Sequence, residues 1–249
     1  MKSFLTSSAF VACTMLPAQA FDVGSMTDSE RADFQAEIRQ YLLENPEVIM
    51  EAIGVLEQRQ AEAQARADQD LVASQSEALF NDGFSWVGGN PDGDITMVEF
   101  IDYRCGYCRR AHGEVAELVA SDGNIRLIVK EFPILGEDSL TSARFAVAVR
   151  MLGGADAYKS VHDELIQLRG SPSPEVLTRL GEAAGVDMEE VFPLMASAEV
   201  QAELQVTRAL AQTLGVNGTP TFVVGNEILR GYLPLDAMRE VVAQERAEG

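Results

Sequence analysis

The sequence predicts an α/β fold that carries an all-helical insertion and follows an N-terminal helical extension. Apolar, β-branched residues 95–101 run directly into two cysteines spaced three apart at the head of a helix, and a second apolar strand follows at residues 125–130. From about residue 136 to 216 the pattern is helical almost throughout. Ahead of both, residues 26–80 are almost free of glycine and rich in Glu, Gln, Ala and Arg.

Taken in order, residues 1–20 begin with Lys2, continue through an apolar run from Phe4 to Leu16 and end in Ala18-Gln19-Ala20, the small-x-small pattern of a signal peptidase site. A secretory leader cleaved after Ala20 is expected, and with it a soluble, exported protein. Cys13 after Val11-Ala12 raises a lipoprotein alternative, against which Phe10 is a poor residue three positions earlier.

Residues 21–82 form the expected oligomerisation segment and linker. Thr27 or Asp28 can cap a first helix with a stripe of Phe34, Ile38, Tyr41 and Leu42; Pro46 suits the first turn of a second, whose stripe is Val48, Ile49, Ala52, Ile53 and Leu56. Such stripes must pack somewhere. Docking on the chain's own domain or a solvated spacer are the plain alternatives. Self-association through residues 27–60 is favoured, because an apparently complete domain follows, with Glu57 to Asp70 as a helical spacer.

Residues 83–249 make the second domain, after turns at 81–83 and 88–93. The strand 95–101 leads to a helix from Gly106 to about Ala120, with Val115, Leu118 and Val119 at helical spacing; Cys105 then starts the helix and Cys108 lies one turn on. Orphan N–H groups and the macrodipole at a helix N-terminus favour an anion, so the first thiol should ionise easily. Arg104, Arg109 and Arg110 either favour that thiolate further or are only the solvated face of the helix. Strand 125–130 completes a right-handed parallel unit. The insertion, about 136–216, holds a helix capped by Ser139 and stopped at Gly153-Gly154, a second over 155–168, and three more after Ser171-Pro172-Ser173-Pro174, with Phe145, Met151, Met188 and Met195 as packing. Thr221 to Val224, a turn at Gly225-Asn226 and Glu227 to Arg230 read as a hairpin, and a helix over 235–244 closes the chain.

Composition limits the function. A net charge of -20 argues against nucleic acid and anionic membrane surfaces, whose recognition needs basic patches. A Cys-x-x-Cys pair could be half of a zinc site, but only Cys13, His112 and His162 remain to complete it, so no metal is expected. A plain structural disulfide is a further alternative; closing a loop of two residues constrains the unfolded chain very little, which makes a catalyst more plausible than a staple.

Strand, Cys-Gly-Tyr-Cys helix, strand, helical insertion, then Gly218-Thr219-Pro220-Thr221-Phe222 entering a hairpin and a last helix: residues 94–244 resemble the thioredoxin superfamily in its DsbA-like branch. The resemblance implies a thioredoxin fold in which Pro220 is cis against the dithiol, Thr219 and Pro220 hold the substrate peptide, Cys105 attacks and Cys108 resolves. Glu99, six residues before Cys105, matches the family's buried acid beneath the active site; its alternative is a strand-edge glutamate facing water. Gly106-Tyr107 departs from the Pro-His of strongly oxidising members and is similar to bacterial disulfide isomerases, and together with the N-terminal helices it is similar to the ScsC-like oligomeric isomerases.

The expectation is a periplasmic thiol:disulfide isomerase that needs no cofactor, acts on exported cysteine-containing proteins and is kept reduced by a membrane partner. A dithiol oxidase, a Cu(I)-handling protein held by the Cys105 and Cys108 thiolates, and an inert oligomeric scaffold are the alternatives.

Overall fold

The computed structural model describes residues 23–248, so the expected leader, its cleavage after Ala20 and Cys13 lie outside the described residues. The chain divides near Arg59 into two compact units.

In the first unit, α1 (Asp28–Glu44) opens on a capping box. Thr27 Oγ1 accepts from the Glu30 N–H at 3.3 Å, and the Glu30 carboxylate accepts from the Thr27 N–H at 2.9 Å. The helix ends where the Asn45 N–H and side-chain amide both donate to the Tyr41 carbonyl, at 2.8 and 2.9 Å. Pro46 precedes α2 (Glu47–Ser74), which runs on into the second unit. Helix α1 buries no residue, and Phe34, Ile38, Tyr41, Ile49, Ile53 and Leu56 are exposed.

The second unit is built on a five-stranded sheet, and its strands alternate faces with the period of two that a pleated chain imposes. Strand β1 (Trp86–Gly89) pairs antiparallel with β3 (Ile125–Glu131), which runs parallel to β2 (Ile95–Ile101). β2 in turn pairs antiparallel with β4 (Thr221–Val224), and β4 with β5 (Glu227–Arg230), giving the order β1-β3-β2-β4-β5. Met97, Ile101, Leu127, Val129, Phe222 and Val224 join one core. Val98, Phe100, Ile128, Val223 and Ile228 join the other.

The first core is covered by α4 (Gly106–Asp122), α5 (Glu137–Gln167), α6 (Pro174–Ala183), α7 (Met188–Met195) and α9 (Leu235–Glu248). The second is covered by the end of α2, by α3 (Ser76–Phe80) and by the C-terminal part of α8 (Ala198–Thr213), through Val72, Leu79, Leu210 and Ala211. Full burial of side chains such as Leu79, Phe100 and Phe222 contributes about 1.5–3 kcal/mol each.

The thioredoxin fold with its helical insertion between β3 and β4 is as expected, and the hairpin has the expected limits. Three local features differ. The Gly88-Gly89 punctuation lies partly inside strand β1, held there by ladder partners from β3 that sit far away in sequence. Helix α3 is a third N-terminal helix, and α2 is exposed over residues 57–67 before Asp68 is buried in a salt bridge to Arg230 at 2.6 Å. As expected, the helical run breaks at Gly153-Gly154: Gly154 leaves helical geometry at φ +76°, so α5 is two helices joined across that break. Ser139 does not cap that helix; Gly136 occupies the cap, and the Ser139 hydroxyl is buried against Asp102.

Candidate active site

Strand β2 delivers the site. Its pleat puts Glu99 on the same face as Met97 and Ile101, the face that α4 covers, so Glu99 is buried beneath the cysteines and not turned to water. Past the strand, Asp102 accepts the Arg104 N–H at 2.7 Å, the Ile134 and Leu135 N–H groups at 2.8 and 3.0 Å, and the Ser139 hydroxyl at 2.8 Å. One buried carboxylate thus ties the loop before α4 to the loop before α5.

Cys105 is the N-cap of α4. Its sulfur accepts the Cys108 N–H at 3.4 Å and lies 3.1 Å from the Thr219 carbonyl oxygen, to which the protonated thiol donates. The Thr219–Pro220 peptide is cis, and the loop before β4 therefore meets the dithiol. Both cysteines are thiols.

The two sulfurs are driven apart in acidity. A hydrogen bond from Cys108, helped by the Thr219 side chain and the Cys108 and Tyr107 N–H groups, brings the Cys105 thiol down to about 5, against the opposing effect of its partial burial. The same hydrogen bond, together with burial and the negative charges of Glu99 and Cys105, pushes the Cys108 thiol far up. Burial first, and the Cys105 thiolate second, raise the Glu99 carboxyl to about 8.

Of the three arginines, Arg110 alone lies on the solvated face of the helix, while Arg104 and Arg109 are tied to the end of α5. Arg104 donates to the carbonyls of Leu168 and Gly170 at 3.3 and 2.8 Å, and Arg109 to those of Ile166 and Leu168 at 2.9 and 3.2 Å. They cap the C-terminal end of α5, where cations are favoured. Arg110 stacks its guanidinium 4.6 Å from the ring centre of Tyr232. Tyr232 in turn stacks on the exposed Tyr107 at 6.1 Å and donates to Glu114 at 2.7 Å. Tyr232 was not singled out by sequence, since a tyrosine after a hairpin carries no signal of its own.

A cleft of about 450 Å³ lies beside the dithiol helix, lined by Glu99, Trp86, Val115, Lys159 and both histidines. The structure brings together Cys105, Cys108, Glu99, Thr219 and Pro220 as the sequence grouped them; it adds Asp102, Tyr232 and, across α4 and α5, His112 with His162. No helix among the described residues is long and apolar enough to cross a membrane.

Comparison with known proteins agrees with this geometry. The DSBA-like thioredoxin domain matches residues 96–243, and the copper resistance protein ScsC N-terminal domain matches residues 30–63. A thioredoxin-like oxidoreductase from Silicibacter pomeroyi DSS-3 is 41% identical, with a TM-score of 0.64 over 69% of this chain and 97% of that one. ScsC of Proteus mirabilis in a transitional conformation is 25% identical, with a TM-score of 0.65 over 92% of this chain and all of that one (100%). Among curated proteins, the Na(+)/H(+) antiporter NhaA 1 of Salinispora arenicola is 26% identical over 156 residues, 63% of this chain. This chain spans about a quarter, 24%, of that antiporter's length. With a domain match over more than half of its residues, the chain belongs to the DSBA-like thioredoxin domain family.

Proposed function

We propose that this chain is a periplasmic thiol:disulfide oxidoreductase that acts as a disulfide isomerase on exported proteins, with residues 1–20 as its signal peptide, 21–82 as an oligomerisation segment and linker, and 83–249 as the catalytic domain. The observation that carries the reading is Cys105, an N-cap sulfur with its thiol at about 5, set 3.1 Å from a carbonyl of the cis-proline loop. At neutral pH this sulfur is a thiolate, the attacking species in disulfide exchange.

The Cys105 thiolate attacks one sulfur of a substrate disulfide. A Cys105–substrate disulfide forms, and the other substrate sulfur leaves as a thiolate. In isomerisation a second substrate thiolate attacks the substrate sulfur of that mixed disulfide, restoring the Cys105 thiolate with no net electron transfer. In the escape route Cys108 loses its proton and attacks Cys105 Sγ; the substrate leaves as a thiol, and the Cys105–Cys108 disulfide holds the oxidising equivalents until a dithiol reductase at the membrane returns two electrons.

Glu99 is suited to take the Cys108 proton. Once Cys105 is bonded to substrate its charge is gone, and with it one of the effects that raise Glu99 and two of those that raise Cys108. Formation of the mixed disulfide therefore lowers both values and prepares the escape step. Thr219 and Pro220 present backbone to the substrate segment next to the sulfur. The isomerase direction rests on Gly106-Tyr107 and on the exposed stripe of α1 and α2, which copies of the chain would cover.

The test is the rate at which the protein reactivates a scrambled-disulfide substrate in glutathione buffer, with Cys105→Ser as control. Reactivation lost in the control supports an isomerase. Equal rates would refute it and leave the dithiol oxidase. The match of residues 30–63 to a copper resistance domain favours a second reading, Cu(I) bound by the two thiolates. Titration of the reduced protein with Cu(I) against a competing chelator decides that one.

A further inference from the structure

The chain has two histidines, and the fold sets them side by side. His112 on α4 and His162 on α5 have ring centres 5.3 Å apart, and Asp163 follows His162 on the same helix. One nitrogen or oxygen from each of the three lies within 4.8 Å of the others. The two rings line the cleft beside the dithiol helix.

Hydrogen bonding fixes which nitrogen of His162 is free. The hydroxyls of Tyr103 and Tyr158 donate to one oxygen of buried Glu131, at 2.7 and 2.6 Å. With its hydrogen committed, the Tyr103 oxygen can only accept, so the 3.1 Å contact with His162 Nδ1 requires the proton on Nδ1. Nε2 then carries the lone pair. A histidine that ligates a metal is held this way, its outer N–H donated to a fixed acceptor that sets the tautomer. Burial keeps the His162 ring neutral, and burial likewise lowers His112, partly offset by Asp163.

The carboxylate supplies a second, independent observation. Asp163 Oδ1 is buried and has no hydrogen-bond partner, although His112 Nε2 is only 3.2 Å away. The other oxygen, Oδ2, is taken by Lys159. That ammonium repels a cation, yet it leaves Oδ1 open and holds the carboxylate in place.

We propose that His112, His162 and Asp163 form a binding site for one borderline divalent cation of the Zn²⁺ type, with a fourth position open to the cleft. Two imidazoles and one carboxylate oxygen suit Zn²⁺, and equally Co²⁺ or Ni²⁺, better than Mg²⁺ or Ca²⁺, which prefer all-oxygen shells. Three protein ligands with a free position are the arrangement of open zinc sites. Bonds of about 2.0–2.1 Å bring ligand atoms to about 3.3 Å of one another, so the set must close by about 1.5 Å at most, a movement that the half-buried His112 side chain can make. The site is separate from the dithiol and stands or falls without the isomerase reading.

The experiment uses the untagged full chain carrying Cys105→Ser and Cys108→Ser, so that no dithiol competes for metal. Zn²⁺ is titrated calorimetrically and Co²⁺ by visible absorption. One equivalent of each should bind, with Co²⁺ giving ligand-field bands and no thiolate charge-transfer band. Tyr103→Phe should weaken binding roughly 10–100-fold by freeing the ring of His162, and His112→Ala or Asp163→Asn should weaken it at least that much. His162 is buried, so its replacement is not relied on; His112 and Asp163 are partly exposed, and their variants are checked for unchanged circular dichroism. Absence of Zn²⁺ and Co²⁺ binding to the thiol-free protein overturns the proposal, as does binding that is unchanged in both His112→Ala and Asp163→Asn.

Discussion

Cys105 Sγ and the Thr219 carbonyl oxygen sit 3.1 Å apart, joined across the fold although 114 residues separate them in sequence. The contact depends on two elements that meet only because β4 pairs with β2, the strand that feeds the dithiol helix. In the proposed function, a substrate segment lying along the loop before β4 would be brought to the sulfur by sheet register.

The first consequence is a pH profile. With its thiol held at about 5, Cys105 should alkylate with iodoacetamide at a rate that rises through pH 5 and is flat above pH 7, while Cys108 stays unreactive. The linkage has a definite sign: a depressed folded value stabilises the reduced protein most above about pH 8.5, and the contribution is lost as pH falls toward 5. A midpoint near that of a free thiol would remove the basis for a thiolate at neutral pH.

Glu99 has the opposite sign. Its carboxyl is raised to about 8, so its contribution to stability is full below about pH 4 and is lost as pH rises through 8. Urea unfolding of the reduced protein should therefore show Glu99→Gln gaining on the parent between pH 6 and pH 9. In quenched-flow trapping, the same substitution should slow the attack of Cys108 on the mixed disulfide by on the order of 100-fold, leaving alkylation of Cys105 rapid. Unchanged trapping kinetics would confine Glu99 to a structural role.

On the opposite face of the sheet, Lys130 and Asp82 form a buried pair, and Lys130 also donates to the Ala78 carbonyl at 2.8 Å. The pair holds the turn before β1 to β3. Lys130→Met leaves the buried Asp82 carboxylate without its cation, held only by the Phe84 and Ser85 N–H groups and the Ser85 hydroxyl, and should cost about 3–5 kcal/mol in chemical unfolding. Adding Asp82→Asn should restore much of it. A double variant as unstable as the single one would mean that the lost Ala78 contact, not the stranded charge, dominates.

The local parts of this architecture were legible from sequence because local rules decide them. Thr27 and Ser173 cap where expected, and the hairpin turns at Gly225-Asn226. What stayed hidden depends on distant partners. Strand β1 has Gly-Gly in it and is a strand only through β3; Ser139 looks like a cap and instead serves Asp102. Of the site, the cysteines and the Thr-Pro loop carry spacing that sequence displays. His112 and His162 carry none, because what joins them is the packing of α4 on α5.

Assembly gives the last prediction. Among the described residues, Phe34, Ile38, Ile53 and Leu56 are 39–54% exposed on α1 and α2. Leaving several such side chains in water forgoes about 1.5–3 kcal/mol for each one that a partner could cover, which is the driving force the proposed self-association would use. Sedimentation velocity should show the full chain as an oligomer and the Phe34→Glu, Ile38→Glu, Ile53→Glu variant as a monomer. The variant should keep the parent rate of Cys105 alkylation, since none of these residues belongs to the unit that holds the dithiol, yet reactivate scrambled substrate more slowly, because a monomer offers a substrate one Cys105 thiolate where an oligomer offers several. A parent protein that sediments as a monomer at micromolar concentration would refute the assembly, and a monomeric variant with full reactivation would separate assembly from isomerisation.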